Sequence, residues 1–159
     1  MPGCARIYGY LHMTIHTTVL IEALKALISE LRWCSCNILS TQEHTVAIIT
    51  HDESASVFSW KGESLEEYWY CILNALIYLE DDVKGQRPDL IVDDGCDMTL
   101  LIHEGEKAEE FFLKDGTTPK PISTDNTEFK IVQTIVKRQL EGRETDNRNK
   151  ICQYVYGSF

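Results

Sequence analysis

Short apolar runs alternate along this chain with longer segments whose apolar residues recur at helical spacing, and this alternation constrains the fold most. Four runs rich in β-branched and aromatic residues predict strands over residues 5–11, 31–39, 56–60 and 88–94. Helical spacing predicts helices from residue 14, from residues 40–44, and over 64–79, 106–114 and 128–140. Strands and helices in this order form βαβ units, so we expect a three-layer α/β fold with a mostly parallel sheet flanked by helices.

Two of the predicted helices carry a starting signal. Ser64 stands three residues before Glu67, and Ser40 stands three residues before Glu43. A Ser or Thr followed by an acid at this distance forms a capping box, in which each side chain bonds a backbone N–H of the first turn. We therefore expect Ser64 to cap one helix, and Ser40 or Thr41 to cap the other.

Size and charge limit the classes of protein to which the chain can belong. Its 159 residues suit one domain with a core. The 25 acidic residues outnumber the 15 basic ones, and the net charge of −10 argues against nucleic-acid and anionic-membrane partners. No apolar run is long enough to span a membrane and the N-terminus lacks a signal-peptide pattern, so we expect a cytoplasmic location. Residues 141–159 show no clear periodicity and predict a poorly ordered tail.

The six cysteines do not form a metal-binding pattern. No C-x-x-C pair occurs, and the Cys34–Ser35–Cys36 spacing is one residue too tight for a zinc knuckle. Without a secretory signal, reduced thiols are expected rather than a disulfide framework. The sequence therefore predicts no structural metal.

Polar segments follow three of the predicted strands, at residues 12–17, 36–41 and 93–97. In open α/β sheets, ligands bind outside the carboxyl ends of the strands. We therefore expect any site to lie at these three segments.

The residues of these segments admit more than one interpretation. Asp93, Asp94 and Asp97 are close enough to raise one another's pKa for acid–base chemistry, or they form a solvated turn in which Asp97 opens a helix. His12 and His16, four residues apart, could share a metal with a carboxylate or be ordinary polar residues of a strand–helix junction.

Cys36 could likewise be a nucleophile or an inert strand cysteine. The sequence contains neither a G-x-G-x-x-G nor a Walker motif, so it supplies no phosphate cradle of its own.

Five collinear stretches, which together span about residues 4–136, resemble a known family: LHMTIHTTVLIEAL, RWCSCNILSTQEH, VFSWKGESLEEYWYCI, PDLIVDDGCDMTLLIHEG and STDNTEFKIVQTIV. They resemble the N-terminal, substrate-binding half of S-adenosylhomocysteine hydrolase, in the form with an extra segment typical of plants and many bacteria. The resemblance implies a truncated, partly Rossmann-like substrate-binding domain over residues 4–140, without the NAD-binding domain of the family.

The resemblance also implies a chemistry and a set of site residues. The family hydrolyses S-adenosyl-L-homocysteine to adenosine and L-homocysteine, using a tightly held NAD that oxidises the ribose 3′-hydroxyl. By position, Asp94 and His12 resemble its catalytic residues. The implied substrate-binding residues are Thr14, His16, Thr17, Cys36, Asn37 and Asp94.

Two of the departures from the family pattern bear directly on the implied site. His16 stands where the family usually has Glu or Gln in contact with adenine, and an imidazole is shorter, with one donor and one acceptor. Cys96 stands where the family has a second glycine. If that position has a positive φ, a cysteine strains the turn that aims Asp94.

The resemblance finally sets an expectation about activity. The family's run of two glutamates and three threonines, expected after residue 150, is absent. If NKICQYVYGSF is the remnant of the family's lysine-serine-lysine-phenylalanine-aspartate-asparagine stretch, Asn149 and Gln153 stand where the lysine and the aspartate belong. We therefore expect the chain alone to be catalytically incompetent, as a decayed or truncated enzyme, and to bind no NAD. Its expected ligand is S-adenosylhomocysteine or adenosine. The alternative is a non-catalytic nucleoside-binding or regulatory subunit that associates with a full-length homologue.

Overall fold

The computed structural model describes residues 5–27, 29–51, 53–76, 88–121 and 125–141. Its strands are β1 (Ala5–Tyr10), β2 (Ser29–Cys34), β3 (Ser56–Phe58) and β4 (Leu90–Asp93). Its helices are α1 (Ile15–Ala26), α2 (Glu43–His51), α3 (Leu65–Leu76), α4 (Asp97–Asp115) and α5 (Thr127–Glu141). The predicted tail beyond Glu141 and the predicted end of α3 at residues 77–79 lie outside the described residues.

The four strands form one parallel sheet in the order β3-β2-β1-β4. Each residue of β1 pairs with one of β2, from Ala5 with Ser29 to Tyr10 with Cys34. Parallel neighbours need a crossover connection, and α1 and α2 follow the strands in chain order as βαβ units require. The predicted α/β class with a parallel sheet is confirmed.

The described residues divide into two compact units, one up to Cys96 and the other from Asp97 onward. The first unit holds the sheet with α1, α2 and α3. The second holds α4 and α5, which pack against each other. Val132, Val136 and Leu140, on one side of α5, are buried. Asn126 begins that helix, because its Oδ1 accepts the Phe129 N–H at 2.9 Å.

Alternate residues of β1 and β2 face opposite sides of the sheet, and each side is covered. On one side Ile7, Leu31 and Trp33 join a core cluster with Ile21 of α1 and Ile49 of α2.

On the other side, the Tyr8 hydroxyl donates to the Leu76 carbonyl at 3.3 Å and the Tyr10 hydroxyl bonds that of Tyr68. Both of these partners belong to α3. The sheet unit therefore has the predicted three layers.

Gly9 makes room for the buried indole ring of Trp33. A Cβ built on Gly9 would overlap the Trp33 indole ring, and Trp33 is fully buried. β1 and β2 can pair at this register only because position 9 has no side chain.

The two predicted helix caps have different outcomes. The Ser64 capping box is confirmed: Glu67 Oε2 accepts the Ser64 N–H at 2.8 Å, and Ser64 Oγ accepts the Glu67 N–H at 3.3 Å. The predicted cap at Ser40 or Thr41 is wrong. The Ser40 hydroxyl donates to the Asn37 carbonyl at 3.1 Å, the Thr41 hydroxyl pairs with that of Ser59 at 2.6 Å, and α2 begins only at Glu43.

The predicted strands over 56–60 and 88–94 are shorter in the structure, as β3 and β4, and two other predicted elements differ more in extent. The strand predicted over 31–39 ends at Cys34, because polar side chains from Ser35 onward bond one another and the backbone in a turn. The helix predicted over 106–114 is part of a longer one, α4, that begins at Asp97. Among the described residues, no helix is long and apolar enough to cross a membrane.

Candidate functional site

One residue from each of the three predicted polar segments meets the others at the carboxyl edge of the sheet. His12 follows β1, Cys36 follows β2 and Asp94 follows β4, and β1 is the middle strand of the three. His12 Nε2 and Cys36 Sγ each lie 4.0 Å from Asp94 Oδ2. All three functional atoms are within 4.8 Å of one another. The expectation that a site lies beyond the carboxyl ends of the strands therefore selected residues that the fold does bring together.

Hydrogen bonds to the His12 carbonyl hold the turn after β1. It accepts the Thr14 N–H at 2.9 Å and the Thr17 hydroxyl. Thr14 stands in the N-cap position of α1 without a side-chain capping bond, and its hydroxyl lies 3.4 Å from that of Thr17. Thr17 is buried and supports the turn, whereas the His12 side chain is 52% exposed.

The turn after β2 positions Cys36 and Asn37. Asn37 Oδ1 accepts the Leu39 N–H at 2.7 Å, and its carbonyl accepts the Ser40 N–H at 3.1 Å and the Ser35 hydroxyl at 3.0 Å. Asn37 Oδ1 therefore serves the turn. Cys36, one residue earlier, is half-buried and faces Asp94.

The three aspartates after β4 have separate positions. Asp93 Oδ1 accepts the Cys96 N–H at 3.1 Å and closes the turn. The Asp94 N–H donates to the Tyr10 carbonyl at 2.9 Å, which extends the ladder with β1, and the Asp94 side chain is 59% exposed. Asp97 is the first residue of α4, as the structural interpretation predicted. Of the three, Asp94 is the carboxylate that meets His12 and Cys36.

Cys96 has a positive φ, the condition under which a cysteine in place of the family's glycine was expected to strain the turn. Its φ is +67°, in the left-handed region that favours glycine, and the neighbouring Gly95 has a φ of +108°. A cysteine at this position strains the turn that carries Asp94.

His16 does not belong to the cluster. It is exposed in the first turn of α1, while His12 lies before that helix begins. The group of candidate metal ligands in the described part of the chain contains His12, Cys36 and Asp94. The spacing of the two histidines therefore does not by itself make a site.

Sequence reasoning missed a buried polar group beyond β3. Burial raises the pKa of Glu63 to about 7, although the Trp60 backbone and the Cys71 thiol oppose this increase. Burial and the nearby Glu63 raise the pKa of Cys71 to about 12, and burial raises that of Cys34 well above its usual value. Glu63 lies in the polar segment that follows β3, so the same expectation applied to a fourth strand end could have found it.

The convergent side chains combine three kinds of chemistry. An imidazole can donate and accept a hydrogen bond, a carboxylate accepts several, and a thiol is a soft ligand. Because His12 and Asp94 are half exposed, a ligand at this edge can reach both. The four described cysteines, Cys34, Cys36, Cys71 and Cys96, are free thiols.

Comparison with known proteins identifies, over most of the chain, the family that the sequence resembles. The family model of S-adenosyl-L-homocysteine hydrolase matches residues 3–157. An adenosylhomocysteinase of Triticum aestivum is 61% identical over 142 residues, which are 89% of this chain and 28% of the relative. One of Solanum lycopersicum is 61% identical over 137 residues, 86% of this chain and 27% of the relative. The chain thus spans a little over a quarter of the length of these relatives, and it belongs to the S-adenosyl-L-homocysteine hydrolase family.

Proposed function

We propose that the carboxyl edge of the sheet binds the nucleoside part of S-adenosyl-L-homocysteine or adenosine, as one portion of an adenosylhomocysteinase substrate site. We propose further that the chain by itself does not turn this substrate over. The observation that carries the first proposal is the convergence of His12, Cys36 and Asp94 at the ends of three adjacent parallel strands. The family to which the chain belongs supplies the identity of the ligand.

The chemistry of the edge suits a ribose. The two neighbouring hydroxyls of a ribose need hydrogen-bond acceptors and a donor at short range. The Asp94 carboxylate can accept and the His12 imidazole can donate. Asp94 Oδ2 and His12 Nε2 lie 4.0 Å apart. Asp94 would accept a ribose hydroxyl and assist proton transfer, with His12 beside it. Thr14, whose hydroxyl does not cap α1, supplies a third polar group on the same turn as His12.

The adenine end of the ligand is where this chain departs from its family. The exposed His16 occupies the position that the resemblance assigns to adenine recognition. A neutral imidazole presents one donor and one acceptor on a shorter side chain than Glu or Gln. We therefore expect weaker discrimination between adenosine and other nucleosides than a Glu or Gln at position 16 would give.

The residues of this chain do not fit the NAD that the resemblance implies. A dinucleotide needs a glycine-rich turn whose backbone N–H groups approach the pyrophosphate. The turn between β1 and α1, residues 11–14, contains no glycine, and the sequence has no G-x-G-x-x-G motif. This misfit supports the proposal that the chain alone does not turn the substrate over.

Thermal unfolding with and without millimolar adenosine tests the binding proposal. A ligand that binds only the folded state raises the midpoint. We expect an increase for the wild type and for Asp115→Asn, a control at an exposed aspartate in α4, and no increase for Asp94→Asn. A folded wild-type chain whose midpoint does not respond to adenosine would contradict the proposal.

A turnover assay tests the second part. Purified chain is incubated with S-adenosyl-L-homocysteine and added NAD, and release of the homocysteine thiol is followed with a thiol reagent. We expect no release above the buffer control. Sustained release that Asp94→Asn abolishes would show that the chain is active by itself.

A second candidate function is that of a regulatory subunit of a full-length homologue. One observation favours it: α1 and the residue after it leave Ile15, Val19 and Leu27 exposed, by 48%, 63% and 75%. Exposed apolar residues on one helix are available to a partner that covers that helix. Co-purification of the chain with a full-length adenosylhomocysteinase, lost in Val19→Glu, would support this role, and elution of the two as separate species would exclude it.

A further inference from the structure

We propose that His12, Cys36 and Asp94 form a binding site for a borderline-soft divalent metal ion, with Zn²⁺ as its representative. The sequence predicted no such site, because the three ligands come from distant segments and make no spaced motif. The inference rests on the geometry of the edge and stands without the proposed nucleoside binding.

The three ligand atoms are arranged as the vertices of a small triangle. Two of its sides meet at Asp94 Oδ2 and measure 4.0 Å each, to His12 Nε2 and to Cys36 Sγ. The third side is no longer than 4.8 Å. Around tetrahedral zinc, whose bonds to nitrogen, oxygen and sulfur are about 2.0 to 2.3 Å long, ligand atoms lie roughly 3.3 to 3.6 Å apart. To hold the ion, the triangle has to contract by roughly 0.4 to 0.7 Å on each of the two 4.0 Å sides and by up to roughly 1.5 Å on the third.

Side-chain rotation can supply that contraction. His12 and Asp94 are 52% and 59% exposed, so neighbouring atoms do not fix their outer torsions. Their backbones, in contrast, are held. The Asp94 N–H bonds the Tyr10 carbonyl at 2.9 Å, and the Thr17 hydroxyl bonds the His12 carbonyl. The side chains of His12 and Asp94 can therefore rotate, while hydrogen bonds hold their backbone in place.

The donor set favours zinc over the hard cations. Thiolate and imidazole are ligands of zinc and related transition metals, whereas Mg²⁺ and Ca²⁺ take oxygen ligands. A neutral imidazole, a thiolate and a carboxylate together carry two negative charges, which balance the charge of the ion. On binding, the Sγ–H bond of Cys36 breaks, its proton goes to solvent, and the Sγ electron pair forms the bond to the metal without any change in oxidation state.

Three protein ligands leave a fourth position of a tetrahedral ion for water. Sites with an open position are typical of exchangeable or catalytic zinc, whereas structural zinc has four protein ligands. The site we propose is therefore an exposed, reversible one, and its loss should leave the fold intact.

Cobalt provides the probe, because Co²⁺ substitutes for zinc and absorbs visible light. The full 159-residue chain, reduced and free of metal, is titrated with CoCl₂ alone. We expect saturation at one equivalent, with a near-ultraviolet charge-transfer band that reports a thiolate ligand. Added ZnSO₄ should abolish the band, because zinc binds such donor sets more tightly than cobalt.

Four variants assign the ligands. Cys36→Ser should lose the charge-transfer band, and His12→Gln and Asp94→Asn should each weaken cobalt binding about tenfold or more. Cys96→Ser is the matched control for an exposed thiol near Asp94 and should keep both the band and the affinity. Far-ultraviolet circular dichroism confirms that each variant is folded. Retention of the band in folded Cys36→Ser, or its loss in folded Cys96→Ser, would overturn the assignment.

A second control separates this site from general affinity of histidines for cobalt. His44 is exposed in α2 and outside the cluster, so His44→Gln should bind cobalt as the wild type does. Equal weakening in His44→Gln and His12→Gln would overturn the proposal. The result is distinguishable from that of the adenosine experiment, because a chain that binds cobalt without responding to adenosine has the metal site and not the nucleoside site.

Discussion

The interior of the sheet and its carboxyl edge are made by the same strands but have opposite properties. Tyr10, the last residue of β1, is fully buried, whereas His12, two residues later, has a side chain that is 52% exposed. In the interior each side chain is fixed by close packing on all sides. At the edge the backbone is held and the side chains remain accessible. The difference teaches that substitutions in the interior act mainly on the free energy of unfolding, whereas substitutions of the exposed His12 and Asp94 side chains act mainly on binding.

The largest effect is expected at Gly9. In Gly9→Ala the new methyl group overlaps the Trp33 indole, and neither strand can move without breaking the parallel ladder. We expect a loss of about 3 kcal/mol in the free energy of unfolding, measured by urea denaturation. Gly62→Ala is the comparison for backbone strain without a clash, since a Cβ there meets no atom within 4 Å but its φ of +86° is unfavourable for alanine and should cost about 1 to 2 kcal/mol. A loss in Gly9→Ala smaller than that in Gly62→Ala would contradict the Trp33 contact as its cause.

The next largest effect on the free energy of unfolding depends on pH and concerns the buried side chain of Glu63. Its pKa is raised from 4.5 to about 7, so the stability linked to its protonated form is complete below pH 4.5 and is lost as pH rises through 7. Between pH 5 and pH 8 this amounts to about 2 kcal/mol. Glu63→Gln should remove that part of the pH dependence from urea denaturation curves. Glu66→Gln, at an exposed position of α3, should retain it. Identical profiles for Glu63→Gln and wild type would contradict the assignment.

A smaller effect is expected at the buried pair of tyrosine hydroxyls. Tyr68→Phe removes the hydrogen bond between Tyr68 and Tyr10, which should reduce the free energy of unfolding by about 1 kcal/mol. The exposed Tyr70 lies on the same helix, and Tyr70→Phe should have no measurable effect. The combined variant Tyr10→Phe/Tyr68→Phe should lose less than the sum of the single variants, because both remove the same bond. Full additivity would show that the two hydroxyls do not interact.

The smallest effect is expected at the edge itself. Cys96→Gly relieves the strain of a φ of +67° and should raise the free energy of unfolding by roughly 1 kcal/mol. Gly95→Ala should act in the opposite direction, because its φ of +108° is unfavourable for any residue with a side chain. Thermal melts of both variants give the sign. Destabilisation by Cys96→Gly would mean that the cysteine side chain stabilises the turn more than the strain opposes it.

The sequence predicted the edge at which a site would lie, because the pattern of strands and helices implied a parallel sheet. Polar residues after three apolar runs indicated the edge of a parallel sheet, and His12, Cys36 and Asp94 were among them. The same reasoning could not assign the role of Asp93. Asp93 closes a turn by accepting the Cys96 N–H, and that bond depends on a positive φ that no spacing reveals.

The errors in the predicted element boundaries also come from hydrogen bonds that local spacing does not reveal. The prediction of a strand over 31–39 treated the apolar residues Ile38 and Leu39 as part of that strand. In the structure Asn37 Oδ1 accepts the Leu39 N–H, and these residues form a turn. Ser40 had the spacing of a cap, yet its hydroxyl bonds the Asn37 carbonyl. Local polar side chains compete for the same backbone groups, and the winner depends on where the folded chain places them.

The sequence by itself determined the α/β class, the capping box at Ser64 and the three polar segments, because these depend on periodicity and on neighbours a few residues apart. The tertiary structure alone decided which residue of each segment meets the others, and that Glu63 is buried. Those outcomes depend on strand order and register, which place residues 12, 36 and 94 together at one edge although they are far apart in the chain. Contacts of that kind are set by the packing of the whole sheet, and the pattern of a single segment does not contain them.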